Sequence, residues 1–188
     1  MKISVIGLGY LGATHAVAMA KLGHKVIGIE PDQTRLSALQ SGKVPFYEPG
    51  LQEALLEVQK SETLTLQAAH DEASAACDLH FLCVGTPQLA DSNAADTSYV
   101  FSAARELASV ISPEAVVAGK STVPVGTAKQ LKDEMSKIAG FEVNLAWNPE
   151  FLREGTALDD SLKPDRIVVG TWGKGAESKL REVYKPIW

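Results

Sequence analysis

Cysteine is almost absent. The 188 residues hold two, Cys77 and Cys83, which give no disulfide framework. Neither sits where a base or an exposed position would activate a thiolate, and Cys83, inside an apolar strand pattern, reads as a small buried hydrophobe. Histidine is sparse as well: His15, His24, His70 and His80 show no metal-ligand spacing with one another or with cysteine, so no metal is expected. Basic charge is in deficit, with a formal net charge of −5 and a pI near 5.4. That argues against broad binding to nucleic acid or an anionic membrane, while leaving room for one anionic ligand held by local donors. No apolar run approaches the about 20 residues of a membrane span, and the N-terminus lacks the charged and apolar regions of a secretory leader. Internal repeats, low-complexity tracts and linkers are missing too. The expectation is a cytoplasmic protein.

What is present is an ordinary globular composition, 45% hydrophobic and 22% charged, sufficient to bury a core in one domain. The first thirty residues organise the rest. Lys2 to Ile6 is a short apolar, β-branched run, read as a buried strand. Gly7-Leu8-Gly9-Tyr10-Leu11-Gly12 follows at once, Ala13 to Leu22 has helical spacing, and Lys25 to Ile29 is a second strand ending at Glu30. This is a G-x-G-x-x-G turn between strand and helix. Gly7 would make the tight turn, Gly9 let backbone approach a pyrophosphate, and Gly12 let helix and strand pack closely. The helix N-terminus suits a phosphate. Glu30, near the expected offset of about 20 residues, would hydrogen-bond a ribose diol. An acid there would repel a 2′-phosphate and so favours NAD over NADP, although Arg35 can accept such a phosphate.

Further on, helices are expected over 32–40, with Asp32 as cap, and over 51–59, 68–76, 98–110 and 126–138. A last helix starts at 177–184 and is cut short by the chain end at Trp188. Strands are expected over 63–66, 78–84, 115–119, 143–147 and 166–169, and residues 88–97 read as a long loop without internal pattern. Strands alternate with helices, which predicts an α/β fold: a doubly wound, mainly parallel, Rossmann-like sheet with helices on both faces. In such sheets ligands bind at the carboxyl ends of the strands. The loops there begin at Gly7, Glu30, Gly85, Lys120 and Asn148. Thr86 could meet a cofactor phosphate or ribose, with Pro87 stiffening its loop. Ser121 and Thr122 face the expected nicotinamide end, where either could hold cofactor or water or simply bond its own backbone. Glu150 and Glu154 lie four apart, so a helical turn would point both carboxylates the same way, and two such groups in a cleft suit one as general base.

The segments GLGYLG, PFYEPGL, FLCVGTPQ, ADTSYV, KSTVPVGT, NPEFLREGTALDD and PDRIVVG span nearly the whole chain. Together they resemble the N-terminal, NAD-binding domain of the UDP-glucose/GDP-mannose dehydrogenase family, and ADTSYV and PDRIVVG lean toward its UDP-glucose-oxidising members. The resemblance implies an enzyme that oxidises the sugar C6 alcohol twice, with two NAD, to UDP-glucuronate. It implies cofactor contacts at Gly7, Gly9, Tyr10, Leu11, Gly12, Glu30, Arg35, Val84, Gly85, Thr86, Pro87, Ser121, Thr122 and Glu154. It implies substrate contacts at Glu150, Phe151, Leu152, Arg153 and Glu154, with Glu150 as acid/base, Thr122 holding a catalytic water and Glu154 also near the nicotinamide. Glu30 departs from the more usual aspartate by one methylene. The family's catalytic cysteine, with its lysine and aspartate, lies in a central helix and C-terminal domain that do not match this chain. Residues 1–188 are therefore expected to be a truncated NAD-binding domain without turnover, a monomer by itself, from a full-length homo-oligomer. The alternatives are a GDP-mannose or UDP-N-acetylhexosamine dehydrogenase, or a non-catalytic dinucleotide-binding module.

Overall fold

The structure, a computed structural model, describes residues 1–172 and 174–187. Its strands are β1 (Lys2–Ile6), β2 (Lys25–Ile29), β3 (Leu64–Gln67), β4 (Leu79–Leu82), β5 (Val116–Gly119), β6 (Asn144–Trp147) and β7 (Gly170–Thr171). Among the described residues they form one sheet in the order β3-β2-β1-β4-β5-β6-β7. All neighbours are parallel except β6 and β7. The chain winds outward from β1 to β3, returns to lay β4 on the other side of β1, and winds outward again. Between β1 and β4 the strand order reverses, the place where such sheets open a crevice for ligands.

The helices are α1 (Tyr10–Lys21), α2 (Gln33–Gln40), α3 (Leu51–Lys60), α4 (Glu72–Ala75), α5 (Ser98–Ala108), α6 (Thr127–Ala139), α7 (Ala157–Leu162) and α8 (Lys174–Val183), with a 3₁₀ turn over Lys185–Ile187. Alternate residues of each strand feed two cores. Ile3, Val5 and Phe81 pack with α1, α3 and α8 on one face, while Ile6, Leu82, Val117 and Leu145 pack with α5 and α6 on the other. The predicted inward positions of α5, namely Val100, Ala104, Leu107 and Ala108, are all buried. Asp32 caps α2 as expected, its carboxylate accepting the N–H of Arg35 at 2.9 Å.

The fold class stands as predicted, with local corrections. The apolar run 166–169 is not a strand. Only Gly170 and Thr171 pair, antiparallel to β6, because this stretch turns back along the sheet edge instead of crossing over. The predicted helix over 68–76 is confined to α4, whose start is set by the Asp71–Ser74 capping box. The last helix starts earlier than expected, at Lys174, and gives way to a 3₁₀ turn at Lys185; the terminal Trp188 lies outside the described residues. The 88–97 loop carries one antiparallel bridge, Gln88 to Ala95. α7 was not anticipated, since six residues offer too short a period to read.

Three histidines, His15, His24 and His80, are buried in this frame. His15 stacks edge-on against Phe81 at 4.4 Å, and His80 Nδ1 shares a 2.7 Å hydrogen bond with the Ser4 hydroxyl. Burial holds His15 well below the ordinary imidazole range and pushes His80 down to about 3. Below about pH 6.5 the unfolded chain takes up protons at both rings that the folded chain refuses, so stability falls with falling pH. The urea midpoint should therefore decline steadily from about pH 7 to about pH 4; a midpoint that does not move over this interval would contradict the neutral, buried state of these rings.

Candidate functional site

The site begins where β1 turns into α1. Gly7 adopts φ +84°, a backbone conformation side chains rarely take, and its N–H donates to the Ile29 carbonyl at 2.9 Å. A Cβ on Gly12 would lie 1.8 Å from the Gly7 carbonyl oxygen, so only glycine lets α1 start this close to β1. Around Gly9, by contrast, a Cβ would meet nothing within 4 Å: the backbone faces open space. Gly9 is the N-cap of α1, with no side-chain cap and no acid in the first turn. The helix end thus keeps its partial positive charge and its first N–H groups, those of Tyr10, Leu11 and Gly12, for a ligand. This uncapped, open end fits a dinucleotide pyrophosphate.

Glu30, at the end of β2, is buried. Its Oε2 accepts the Leu8 N–H at 2.9 Å and the Arg35 guanidinium at 3.0 Å, and its Oε1 accepts the Asp32 N–H at 3.0 Å. The acid therefore braces the glycine turn besides facing the crevice. A carboxylate accepts about four hydrogen bonds, and three donors are already in place. A ribose diol fits with both hydroxyls only if the half-exposed Arg35 swings away.

Beyond β4 and β5 the loops of Val84-Gly85-Thr86-Pro87 and Ser121-Thr122 are stitched together. The Thr86 hydroxyl donates to the Thr122 carbonyl at 2.9 Å, the Ser121 hydroxyl to the Val84 carbonyl at 2.5 Å, and the Trp147 indole N–H to the Ser121 carbonyl at 3.0 Å. The Thr86 and Ser121 hydroxyls thus spend their protons on backbone. Thr122 is exposed beside them.

The segment from Glu150 to Glu154 is not the helical turn the four-residue spacing suggested; it is irregular, with a turn only from Glu154. Glu150 bends back and accepts the Leu152 N–H at 2.6 Å, so the two carboxylates are not aligned by a helix. Arg153 is exposed and held at the Asp160 carboxylate, which its backbone N–H also reaches. That pairing holds Asp160 down to about 2. The exposed Phe151 carries the Arg166 guanidinium 4.7 Å from its ring centre.

The residue that ties this loop to the glycine turn is one to which sequence reasoning gave no role, Glu48. It is buried and accepts from the Tyr10 hydroxyl at 2.5 Å, the Gly155 N–H at 2.9 Å and, at the start of α7, the Leu158 N–H at 3.2 Å. Burial, then the bond to Glu48, pushes the Tyr10 phenol up to about 12, so it stays a donor. The available signal was a lone acid between Pro45 and Pro49 in an otherwise apolar loop. A second polar group also went unread. Asn148, directly after β6, accepts the Tyr184 hydroxyl at 2.5 Å and donates to the Val168 carbonyl at 2.8 Å. Beside it, buried Lys120 reaches Asn148 at 3.4 Å and Tyr184 at 3.5 Å. These residues line a cavity of about 190 Å³ that also meets His15, Glu150, Arg153 and Arg166. Among the described residues no His/Cys/Asp/Glu cluster could hold a metal, and no helix is long and apolar enough to cross a membrane.

The model of the UDP-glucose/GDP-mannose dehydrogenase family, NAD binding domain, matches residues 1–188. The chain belongs to this family. It is 40% identical to the UDP-glucose 6-dehydrogenase of Rhizobium meliloti over all of its own length and 44% of the relative's. Among solved structures, a UDP-glucose dehydrogenase from Pyrobaculum islandicum superposes with TM-score 0.93 at 42% identity, and a ternary complex of GDP-mannose dehydrogenase from Pseudomonas aeruginosa with TM-score 0.94 at 32%. The match covers 100% of this chain and 44% of each of theirs. The chain thus spans less than half the length of each of these three relatives. The family's cofactor, NAD, agrees with the open N-terminus of α1 and the acid on β2.

Two substitutions probe this geometry. Gly12→Ala forces Cβ into the Gly7 carbonyl and should abolish NAD binding or folding; a calorimetric titration matching the wild type would remove the close approach from the argument. Glu48→Ala should cost at least the roughly 1.5–3 kcal/mol of one hydrogen bond to a charged group, read by urea unfolding. It should also speed amide exchange at Gly155 and Leu158, which lose their acceptor.

Proposed function

We propose that this chain is the cofactor-binding part of a UDP-glucose 6-dehydrogenase, an NAD-dependent enzyme that oxidises UDP-glucose twice to UDP-glucuronate. The observation that carries the reading is a convergence. The open end of α1, the acid of β2 and the loop from Glu150 to Glu154 lie at one edge of the sheet, where Glu30 holds the glycine turn through the Leu8 N–H and Glu48 ties Tyr10 to Gly155, just past that loop. The similarity to the enzymes of Rhizobium meliloti and Pyrobaculum islandicum points to UDP-glucose.

In this reading Gly7, Gly9, Tyr10, Leu11 and Gly12 hold the pyrophosphate and Glu30 the adenosine ribose, with Arg35 displaced or turned toward the nucleotide. Val84 to Pro87, Ser121 and Thr122 line the path to the nicotinamide. NAD supplies the hydride acceptor when bound. Glu150 takes the proton of the sugar C6 hydroxyl, Thr122 orients a water, and Glu154 stands between cofactor and sugar. Phe151, Leu152 and Arg153 line the nucleotide-sugar site. The two cysteines are poor nucleophile candidates: both are buried, and burial pushes Cys77 up to about 11 and Cys83 up to about 12, the opposite of activation. We therefore assign the cysteine step to the part of the relatives' length that this chain does not span. Residues 1–188 alone would bind NAD without turnover, as a monomer, in the cytoplasm, while the full-length protein would be a homo-oligomer. A GDP-mannose dehydrogenase is the second reading, favoured by the TM-score of 0.94 to the Pseudomonas aeruginosa complex.

Calorimetry with NAD tests the cofactor site. Glu30→Ala should weaken NAD binding roughly tenfold or more through loss of a charged hydrogen bond; an unchanged affinity would place the ribose elsewhere. With UDP-glucose and NAD, this chain should give no rise in NADH absorbance, and measurable turnover would overturn the assignment of the nucleophile.

A further inference from the structure

The end of β5 carries a charged side chain that the proposed reaction does not use. Lys120 follows Gly119, its N–H continuing the ladder to the Leu82 carbonyl at 2.9 Å, and the neighbouring Asn148 continues it from β6 to the Gly119 carbonyl at 2.8 Å. The Lys120 amine is buried, yet its partners are loose: Asn148 Oδ1 at 3.4 Å and the Tyr184 hydroxyl at 3.5 Å, with the Tyr184 ring centre 6.0 Å away. Neither partner carries charge. A lysine is rarely taken out of water without a counter-charge. The cavity it lines holds one candidate on the adjacent strand end, Glu150, two residues after Asn148.

We propose that Lys120 is a positioning residue for Glu150: its amine supplies the buried positive charge under the Glu150 carboxylate, and its contacts with Asn148 and Tyr184 fix the strand end from which that carboxylate projects. The hydrogen bonds of Asn148 support this. Its side chain gathers Lys120 from β5, Tyr184 from the end of α8 and the Val168 carbonyl into one knot at the root of the loop. The proposal deepens the reading of Glu150 as acid/base, and it rests on that reading for its functional meaning alone.

The groups facing the amine are His15 from α1, Cys83 from the end of β4, Tyr184 after α8, and Glu150 after β6. Arg153, Asp160, Asp165 and Arg166 stand around the rest of the cavity. Burial lowers Lys120 to about 8, while Cys83 and, after it, Glu150 act in the opposite direction and hold the proton on. Histidine 15 is neutral at such pH and its Nε2 has no partner, so it adds no counter-charge.

The test is a pH titration of this chain with ¹³Cε-labelled lysine, followed by NMR. One buried lysine should titrate near pH 8, and its resonance should be assigned by its loss in Lys120→Met. In Glu150→Gln, which keeps the oxygen that accepts the Leu152 N–H, the midpoint should fall by about half a pH unit or more. A control, Asp165→Asn, should move it less. An unmoved midpoint in Glu150→Gln overturns the proposal, because a lysine with a merely structural role would titrate alike with and without that charge. Amide exchange at Leu152 should accelerate about tenfold in Lys120→Met, and unaltered exchange would remove the positioning claim. NAD calorimetry on the same samples reads the cofactor site separately, so failure of that site and failure of the coupling are distinguishable.

Discussion

The molecule depends on how closely one helix is allowed to begin beside one strand. At Gly12 there is no volume for even a methyl group, because the Gly7 carbonyl occupies it. That approach turns α1 so that its first N–H groups look out at the carboxyl edge of the sheet while its flank, from Ala13 to Ala20, is buried. The same turn brings Leu8 onto Glu30. Backbone shape at the first turn and charge at the second strand are thus one device, and the strand-order reversal between β1 and β4 leaves the space in front of it open.

Around that device the protein uses single buried polar groups as ties between segments far apart in sequence. Glu48 gathers Tyr10, Gly155 and Leu158; Asn148 gathers Lys120, Val168 and Tyr184. Each satisfies donors that a loop packed against protein would otherwise leave unpaired. The irregular run from Glu150 to Glu154, with almost no hydrogen bonding inside it, is anchored at one end by Asn148 and at the other by Glu48. An irregular loop held at both ends on a rigid sheet can present side chains with a precision its own backbone lacks.

How much of this was legible in the residues follows from the range of the forces involved. The six parallel strands, the glycine turn, Glu30 and the Asp32 cap are local in origin: apolar period, glycine spacing and a capping side chain act over a few residues. Glu48 and Lys120 acquire their meaning from partners 28 to 110 positions away, and no local pattern encodes such partners. One local inference that misled, the helical turn over Glu150–Glu154, failed because spacing of four is informative only inside a helix. Here the loop is irregular, and Glu150 turns back onto the Leu152 N–H. Residues 166–169 misled in the same way: apolar and β-branched, they satisfy a strand's composition, yet Val168 gives its carbonyl to Asn148 instead of to a ladder.

The missing cap on α1 has a thermodynamic side. A serine, threonine or aspartate at the N-cap quiets a helix's first amides, as Asp32 does for α2 and Asp71 for α4. α1 leaves its amides unanswered, so part of its own stability is lent from outside. A ligand that binds only the folded form raises the unfolding free energy in proportion to the logarithm of its concentration. The melting temperature of this protein is therefore a gauge of how much dinucleotide surrounds it, and a serine at position 9 would make a sturdier molecule that no longer needs its guest.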